Sequence, residues 1–307
     1  MIGVHPRAAM LVKRALLSAG HYSRRLQRDT FPGVAVLCYH AVRGDEEPAG
    51  TMLFEDLHVR ASELEGHCRL VRDTCQPISL DRWRAARAGA EPMPPRPVLF
   101  TFDDGYRSLF TIARPILERY GIPAVAFVCS DPVQSQSLFW YDALAGELGE
   151  AAVAHVKALP FEKWHALTGI LDRRAAAGDP HAPLTPEQIG ELSAGAMEIG
   201  GHTARHPILA RAPLAEQRAE ILSNRTALEA WTGRPVRAFA YPNGQPGVDY
   251  TPDTVRLLGE SGFDFAFSTR AGFAAPTDRA LECSRFLIVA GVEPAELAHR
   301  LAYSWPR

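Results

Sequence analysis

The chain has 307 residues and a formal net charge of −2, with 47% hydrophobic and 22% charged residues. This length fits one large domain with a terminal extension or two domains, and the composition excludes disordered and collagen-like chains. The nearly neutral charge gives no basic field of the kind that marks nucleic-acid-binding proteins, so we expect no nucleic-acid partner.

Residues 1–30 are predicted to form an amphipathic helical extension at the N-terminus. Apolar residues such as Met10, Leu11 and Leu17 are interleaved with basic ones. The helix either packs on the following domain or lies on an anionic membrane surface. The apolar stretches are too interrupted for a signal peptide, and no run reaches the roughly 18 residues of a transmembrane helix. We therefore expect a cytoplasmic protein, with peripheral contact to the inner membrane as an open alternative.

From Phe31 onward, short apolar runs typical of buried parallel strands alternate with amphipathic stretches typical of helices. The predicted strands are 34–39, 77–80, 98–102, 124–129, 196–200, 236–241, 263–269 and 286–289. The predicted helices are 61–71, 108–120, 186–193, 214–232, 251–262 and 294–303. Residues 142–183 are alanine-rich and are predicted to form a mostly helical insertion. Six or seven strand–helix alternations predict one α/β domain over 31–307, closed as a barrel, with a flat doubly wound sheet as the alternative.

The five cysteines form an odd, widely spaced set without a C-x-x-C pair. Cys38 and Cys129 lie within apolar runs and are expected to be small core residues. This usage favours a reducing compartment over a disulfide framework.

Residues with reactive side chains follow several of the predicted strands. They are His40, Asp103-Asp104, His202 with His206, and Pro242-Asn243-Gly244. Because a barrel places its chemistry at the carboxyl ends of its strands, we expect these side chains to share one site.

His202 and His206 have a spacing that suits a zinc-like metal, although Pro207 favours a turn over a helix at this point. Asp103 and Asp104 face the same site only if the strand gives way to a turn there. One carboxylate then completes a set of metal ligands with the two histidines, and the other accepts a proton from the bound water. As alternatives to a metal site, the histidines are capping or core residues, and one aspartate caps the next helix.

Three motifs together resemble those of the polysaccharide deacetylases, the NodB-homology or carbohydrate esterase family 4 enzymes. They are TFDDGY at 101–106, HTARHP at 202–207 and FAYPNG at 239–244. The resemblance covers roughly residues 31–289 and implies a distorted (β/α) barrel of about seven strands, here with an N-terminal helix and a helical insertion.

The resemblance also implies roles for the motif residues. Asp104, His202 and His206 would bind a divalent metal, most often zinc, with cobalt, nickel or iron as alternatives. Asp103 would be the general base. The oxyanion or substrate site would be formed near Tyr241, Pro242 and Asn243, with the backbone N–H near Asn243 as the donor.

Two positions depart from the family pattern. The usual arginine two residues before the third motif's proline is replaced by Ala240, and Arg237 or Arg285 is a candidate substitute. The late strand lacks the usual general-acid histidine. Residues 37–40 (LCYH) resemble this histidine pattern as it occurs in circularly permuted members of the family, where it is displaced to the N-terminus. Those members deacetylate poly-N-acetylglucosamine-type exopolysaccharides. His40 is therefore the expected general acid, and a core histidine is the alternative.

We therefore expect a metal-dependent hydrolase that removes N-acetyl groups from N-acetylhexosamine units of a bacterial surface polysaccharide, an exopolysaccharide or its precursor. Trp140, Asp142 and Arg285 are expected substrate contacts, although the run at 139–142 is equally typical of core packing. Two alternatives remain open. One is hydrolysis of a small amide or an amino-sugar intermediate, and the other is a non-catalytic glycan-binding relative. The sequence determines neither the oligomeric state nor the metal.

Overall fold

The computed structural model describes residues 6–171 and 173–304. Residues 1–5 of the predicted N-terminal extension, Asp172 of the predicted insertion and residues 305–307 lie outside the described part of the chain.

Seven parallel strands close into a barrel, which confirms the predicted fold class and rules out the flat sheet. The described residues form ten strands: β1 (Ala35–Tyr39), β2 (Val42–Arg43), β3 (Val59–Arg60), β4 (Gln76–Pro77), β5 (Pro97–Phe102), β6 (Ala124–Val128), β7 (Met197–Gly201), β8 (Ala238–Ala240), β9 (Phe265–Ala271) and β10 (Cys283–Leu287). The barrel runs β1–β5–β6–β7–β8–β9–β10. It closes at β1, where Leu37 pairs with Phe286 of β10 on one side and with Phe100 of β5 on the other.

Helices surround the barrel. Those in the described residues are α1 (Pro6–Ser18), α2 (His21–Arg28), α3 (Ala61–Thr74), α4 (Leu80–Arg87), α5 (Arg114–Tyr120), α6 (Ser130–Ser135), α7 (Trp140–Leu148), α8 (Glu150–Lys157), α9 (Phe161–Thr168), α10 (Pro186–Ala194), α11 (Leu214–Thr232), α12 (Pro252–Glu260) and α13 (Pro294–Tyr303). A π-helical turn, Leu109–Ala113, precedes α5.

Side chains on the barrel strands alternate between two apolar clusters. Leu99 and Val125 belong to the cluster inside the barrel, whereas Phe100 and Ala126 belong to the layer between barrel and helices. This follows from the two-residue period of a strand. The same period decides which residues at the strand ends face the interior. All five cysteines are buried free thiols.

The N-terminal extension is two helices rather than one, because Gly20 adopts a left-handed conformation with φ 69° between them. Both helices pack on α13. Lys13 forms an ion pair with Glu296, and the Oη of the fully buried Tyr22 lies 3.2 Å from His299 Nδ1. Within the described residues, no helix has the length and apolarity to cross a membrane. The domain limit at residues 30 and 31 stays a prediction.

Other predicted elements also differ from the observed ones. The predicted strand 77–80 is wrong, since β4 ends at Pro77 and Ser79 Oγ caps α4 by accepting a hydrogen bond from the Arg82 N–H. The predicted insertion is helical only through Thr168 and is irregular in the remainder of its described residues. The last barrel strand covers 283–287 instead of 286–289, which places Arg285 within it.

Candidate active site

Asp103 and Asp104 come directly after β5, where the strand turns. The Asp103 N–H still donates to the Tyr39 carbonyl, so Asp103 continues the alternation of the strand and points into the barrel. Asp104 and Gly105 then adopt positive φ values of 73° and 100°. A Cβ on Gly105 would lie 2.8 Å from Val128 Cγ1, which is why glycine is required there. The turn brings both carboxylates to one site, as predicted.

The two histidines lie on the turn after β7, not on a helix. His202 Nδ1 donates a hydrogen bond to the Ala240 carbonyl at 2.7 Å, which leaves Nε2 free, 3.4 Å from Asp104 Oδ1. His206 Nε2 lies 3.6 Å from the same oxygen. His206 has φ 62°, and its N–H donates to Thr203 Oγ1. Histidines that bind metal typically donate their other ring N–H to a carbonyl or carboxylate, which fixes the tautomer.

Asp104, His202 and His206 fit a divalent cation. All three are buried, and one ligand atom from each lies within 4.8 Å of the others. Burial, assisted by the nearby His202, lowers the pKa of His206 to about 3, so its imidazole is neutral. Burial raises the pKa of Asp104, but the neighbouring histidines, His202 first, outweigh it, so the net shift is downward and the carboxyl is ionised. Neutral imidazoles and a carboxylate are the forms that bind metal.

Arg285 holds Asp103 from inside the barrel. Its Nη1 and Nη2 donate to Asp103 Oδ1 and Oδ2, both at 2.8 Å, and its Nε donates to the Ser268 carbonyl at 3.0 Å. Burial raises the pKa of Asp103, but the positive charge of Arg285 more than offsets this, and the net shift is downward. Of the two predicted candidates, Arg285 is therefore the tether, since Arg237 is half-exposed and pairs with Asp264 instead.

Arg285 was also expected to contact substrate, and the structure corrects this. Its side chain is 0% exposed and lies behind Asp103 rather than on the wall of the cavity. A fully buried guanidinium with both of its terminal nitrogens on one carboxylate has no face left for a ligand.

A cavity of about 100 Å³ collects the predicted catalytic and metal-binding side chains. His40, Asp103, Asp104, His202, His206 and Asn243 all line it. Pockets that enclose a whole small ligand usually measure about 300 Å³ or more. This cavity therefore holds only the reacting group of a substrate, and the rest of the molecule would lie at its mouth.

His40 follows β1 and faces this cavity. Its Nδ1 is buried and has no hydrogen-bond partner among the described residues. Burial lowers the pKa of His40, and the charges of Asp104 and Asp103 act in the opposite direction. The histidine is thus beside both aspartates, as a proton donor at this site must be.

Of the three predicted oxyanion residues, only Asn243 presents a group to the cavity. Tyr241 is committed elsewhere, since its N–H donates to the Phe267 carbonyl and its hydroxyl to the Leu281 carbonyl. Pro242 has no N–H. The Asn243 N–H has no acceptor among the described residues, and its φ is 57°. The structure therefore corrects the expectation for Tyr241, and the backbone N–H of Asn243 is the available donor.

Trp140 and Asp142 support the site instead of lining it, contrary to expectation. The Trp140 indole N–H donates to the His206 carbonyl at 3.3 Å, and its ring packs against Trp164. Asp142 accepts a hydrogen bond from the Tyr106 hydroxyl at 2.8 Å, and burial raises its pKa well above the usual range. Both side chains are at most 7% exposed.

Six residues of the cavity wall were not among the predicted site residues: Phe54, Leu57, Tyr106, Tyr141, Lys157 and Thr269. Lys157 ends α8, and its Nζ donates to Asn243 Oδ1 at 2.9 Å. The only signal in the sequence was its rarity, because the chain has just three lysines. Rarity alone does not place a side chain at a site.

Residues 90–266 match the model of the family described as polysaccharide deacetylase. A segment of 94 residues, 30% of this chain, is 36% identical to the poly-β-1,6-N-acetyl-D-glucosamine N-deacetylase of Escherichia coli K12, and it spans only 13% of that protein's length.

Two solved structures share the fold over most of both chains. The Streptococcus pyogenes deacetylase PplD has a TM-score of 0.66 at 20% identity, over 89% of this chain and 99% of that one. IcaB from Ammonifex degensii has a TM-score of 0.62 at 23% identity, over 88% of this chain and 97% of that one.

Proposed function

Because the chain belongs to the polysaccharide deacetylase family, we propose that it removes N-acetyl groups from N-acetylhexosamine units of a bacterial surface polysaccharide or exopolysaccharide, or of its precursor. The observation that carries the proposal is the meeting of Asp103, its tether Arg285, His40 and the Asp104–His202–His206 set around one cavity. The partial likeness to the Escherichia coli enzyme supports poly-β-1,6-N-acetyl-D-glucosamine as the first polymer to test.

We propose that the Asp104–His202–His206 set holds a divalent metal, zinc first, with cobalt, nickel or iron as alternatives. When bound, such an ion lowers the pKa of water and polarises a carbonyl group. The buried donor set and the fixed tautomer of His202 support this assignment.

In this mechanism Asp103 removes a proton from the attacking water. Its carboxylate is ionised because Arg285 outweighs the effect of burial. Oδ1 keeps a lone pair beyond the bond to Arg285, whereas Oδ2 also accepts from Cys38 Sγ at 3.5 Å. The guanidinium also fixes the orientation of the carboxylate, so the base needs no rearrangement to act.

The water oxygen adds to the acetyl carbon, and the carbonyl oxygen becomes negative. The free Asn243 N–H would donate a hydrogen bond to that oxygen, which lowers the energy of the tetrahedral intermediate. The C–N bond then breaks, and His40, as the imidazolium, gives a proton to the departing nitrogen. The products are acetate and a free amine.

The small cavity suits an acetamide group, with the sugar ring outside. Asn243, at the mouth, is exposed. Neighbouring sugar units of a polymer would therefore extend along the surface without entering the cavity.

We further propose a cytoplasmic location with peripheral contact to the inner membrane through α1. Leu11 and Val12 on α1 are exposed, while the ion pairs to α13 support the packed-helix alternative. Co-sedimentation with anionic phospholipid vesicles, comparing the wild type with a Leu11→Ser and Val12→Ser double variant, tests this contact. Equal sedimentation of the two proteins would contradict it.

Acetate release from short β-1,6-linked N-acetylglucosamine oligomers tests the proposed function. Untreated, chelator-treated and zinc-restored samples are compared. Release that is lost with the chelator and regained with zinc supports the proposal. Metal binding without release contradicts the polymer substrate and favours a small amide, and oligomer binding without metal or release favours a non-catalytic relative.

A further inference from the structure

Lys157 reaches the active-site cavity from the predicted insertion. Its Nζ lies 2.9 Å from Asn243 Oδ1 and 5.9 Å from the centre of the Tyr141 ring, and the side chain lines the cavity. Burial lowers the pKa of its ammonium, while the charges of Asp104, Asp249 and Asp142 favour the cation. The catalytic roles described above do not use this residue.

Asn243 needs support from its neighbours. Its φ of 57° lies in the left-handed region, which asparagine adopts more readily than most residues when its side chain is hydrogen-bonded. Asn243 is also exposed, so core packing does not hold it. Hydrogen bonds to neighbouring residues restrain it instead. Thr269 Oγ1 donates to its carbonyl at 2.7 Å, and Lys157 Nζ donates to its side-chain oxygen. Its side-chain amide also hydrogen-bonds the Asp249 carboxylate. Its backbone N–H is left without a partner in the described part of the chain.

We propose that Lys157 is a positioning residue, which holds Asn243 so that the Asn243 N–H points at the oxygen that becomes negative in the reaction. A hydrogen bond from an ammonium to an amide oxygen is charge-assisted and stronger than a neutral one. The insertion thereby completes the oxyanion site. Loss of the Lys157 ammonium should therefore lower turnover without affecting metal binding. This inference rests on the proposed deacetylase function.

The test compares Lys157→Met with the wild type on N-acetylglucosamine oligomers that the wild type hydrolyses. We expect kcat to fall about 10- to 100-fold, since a misplaced group costs this much, while KM and the bound zinc stay unchanged. Lys157→Arg keeps the charge and the donor and should recover part of the loss. Lys163→Met, on the exposed face of α9, is the matched control and should keep full activity.

A double-mutant cycle with Asn243→Gly separates positioning from direct contact with substrate. Glycine tolerates the positive φ and keeps the N–H but has no oxygen for Lys157 to hold. Lys157→Met should therefore have no further effect on kcat in the Asn243→Gly background. An equal loss in both backgrounds, or no loss in either, would overturn the inference. Failure of the wild type to release acetate would instead count against the proposed function.

Discussion

Arg285 and Asp103 meet inside the barrel through two parallel hydrogen bonds, although they are 182 residues apart in the chain. Arg285 reaches the carboxylate from β10, which neighbours β1 in the barrel, whereas the family's usual tether would stand at the position of Ala240 on β8. The same carboxylate can thus be held from another strand, because the side chains of all the barrel strands converge on the interior.

Arg285→Met should move the acid limb of the kcat/KM pH profile to higher pH. Burial raises the pKa of Asp103, and Arg285 is the largest opposing influence, ahead of His202 and His40. Without the guanidinium the pKa rises, so the base becomes protonated at a higher pH than in the wild type. The free energy of unfolding should also fall by about 3–5 kcal/mol, because a buried charge loses its partner. Arg237→Met is the control, and an unmoved acid limb in a folded Arg285→Met protein would contradict the tether.

Asp103→Asn should lower kcat by about 10²- to 10⁴-fold, the usual contribution of a general base. Bound zinc should stay equal to that of the wild type, because the metal set uses Asp104 and the two histidines. Metal content and acetate release are measured on the same preparation. Asp253→Asn, an exposed residue on α12, serves as the control, and unchanged turnover in Asp103→Asn would refute the base assignment.

His40→Ala should impair amide hydrolysis far more than ester hydrolysis. An amine must be protonated to leave, whereas the 4-nitrophenolate of 4-nitrophenyl acetate leaves without a proton. The ratio of the two rates, in wild type and variant, is the measurement. Asp103→Asn should slow both substrates, and full amide activity in His40→Ala would show that the histidine is only a core residue.

His206→Ala should lose bound zinc and the stabilisation that zinc provides. A ligand that binds only the folded state raises the melting temperature, so added zinc should raise Tm in the wild type and not in the variant. Zinc content after dialysis and thermal unfolding with and without zinc are measured. His155→Ala, an exposed histidine on α8, should behave as the wild type. A similar zinc effect in His206→Ala would exclude it as a ligand.

His67 should make the fold sensitive to acid. It is fully buried between the Tyr39 hydroxyl and the Val292 carbonyl, and burial lowers its pKa from 6.5 to about 4. Between these values the unfolded chain binds a proton that the folded one does not, so stability falls as the pH drops from about 6.5 to 4, by up to about 3 kcal/mol.

Urea unfolding between pH 4 and pH 7 tests this dependence. His67→Gln should flatten the slope of unfolding free energy against pH, whereas the exposed His155→Gln should not. Equal slopes in His67→Gln and the wild type would contradict the prediction.

The sequence alone predicted the strand–helix alternation and most of the reactive residues, but it left a flat sheet open beside the barrel. Asp103, Asp104, His202 and His206 stand next to strand runs that are recognisable from their apolar residues, and the carboxyl ends of parallel strands meet at one edge. The turn at His206 could likewise be predicted, because Pro207 restricts the backbone before it. These are local properties, and they need no knowledge of distant contacts.

Only the tertiary structure decided how the site is supported. The last strand begins three residues before its predicted start, and this placed Arg285 on a strand where alternation turns it inward to Asp103. Lys157 and Asn243 are 86 residues apart and meet only because the insertion folds back over the barrel end. The hydrogen bond from the Trp140 indole to the His206 carbonyl likewise depends on the tertiary fold. Contacts of this kind depend on which face of an element is buried, and on which partner covers it, so neither residue type nor spacing reveals them.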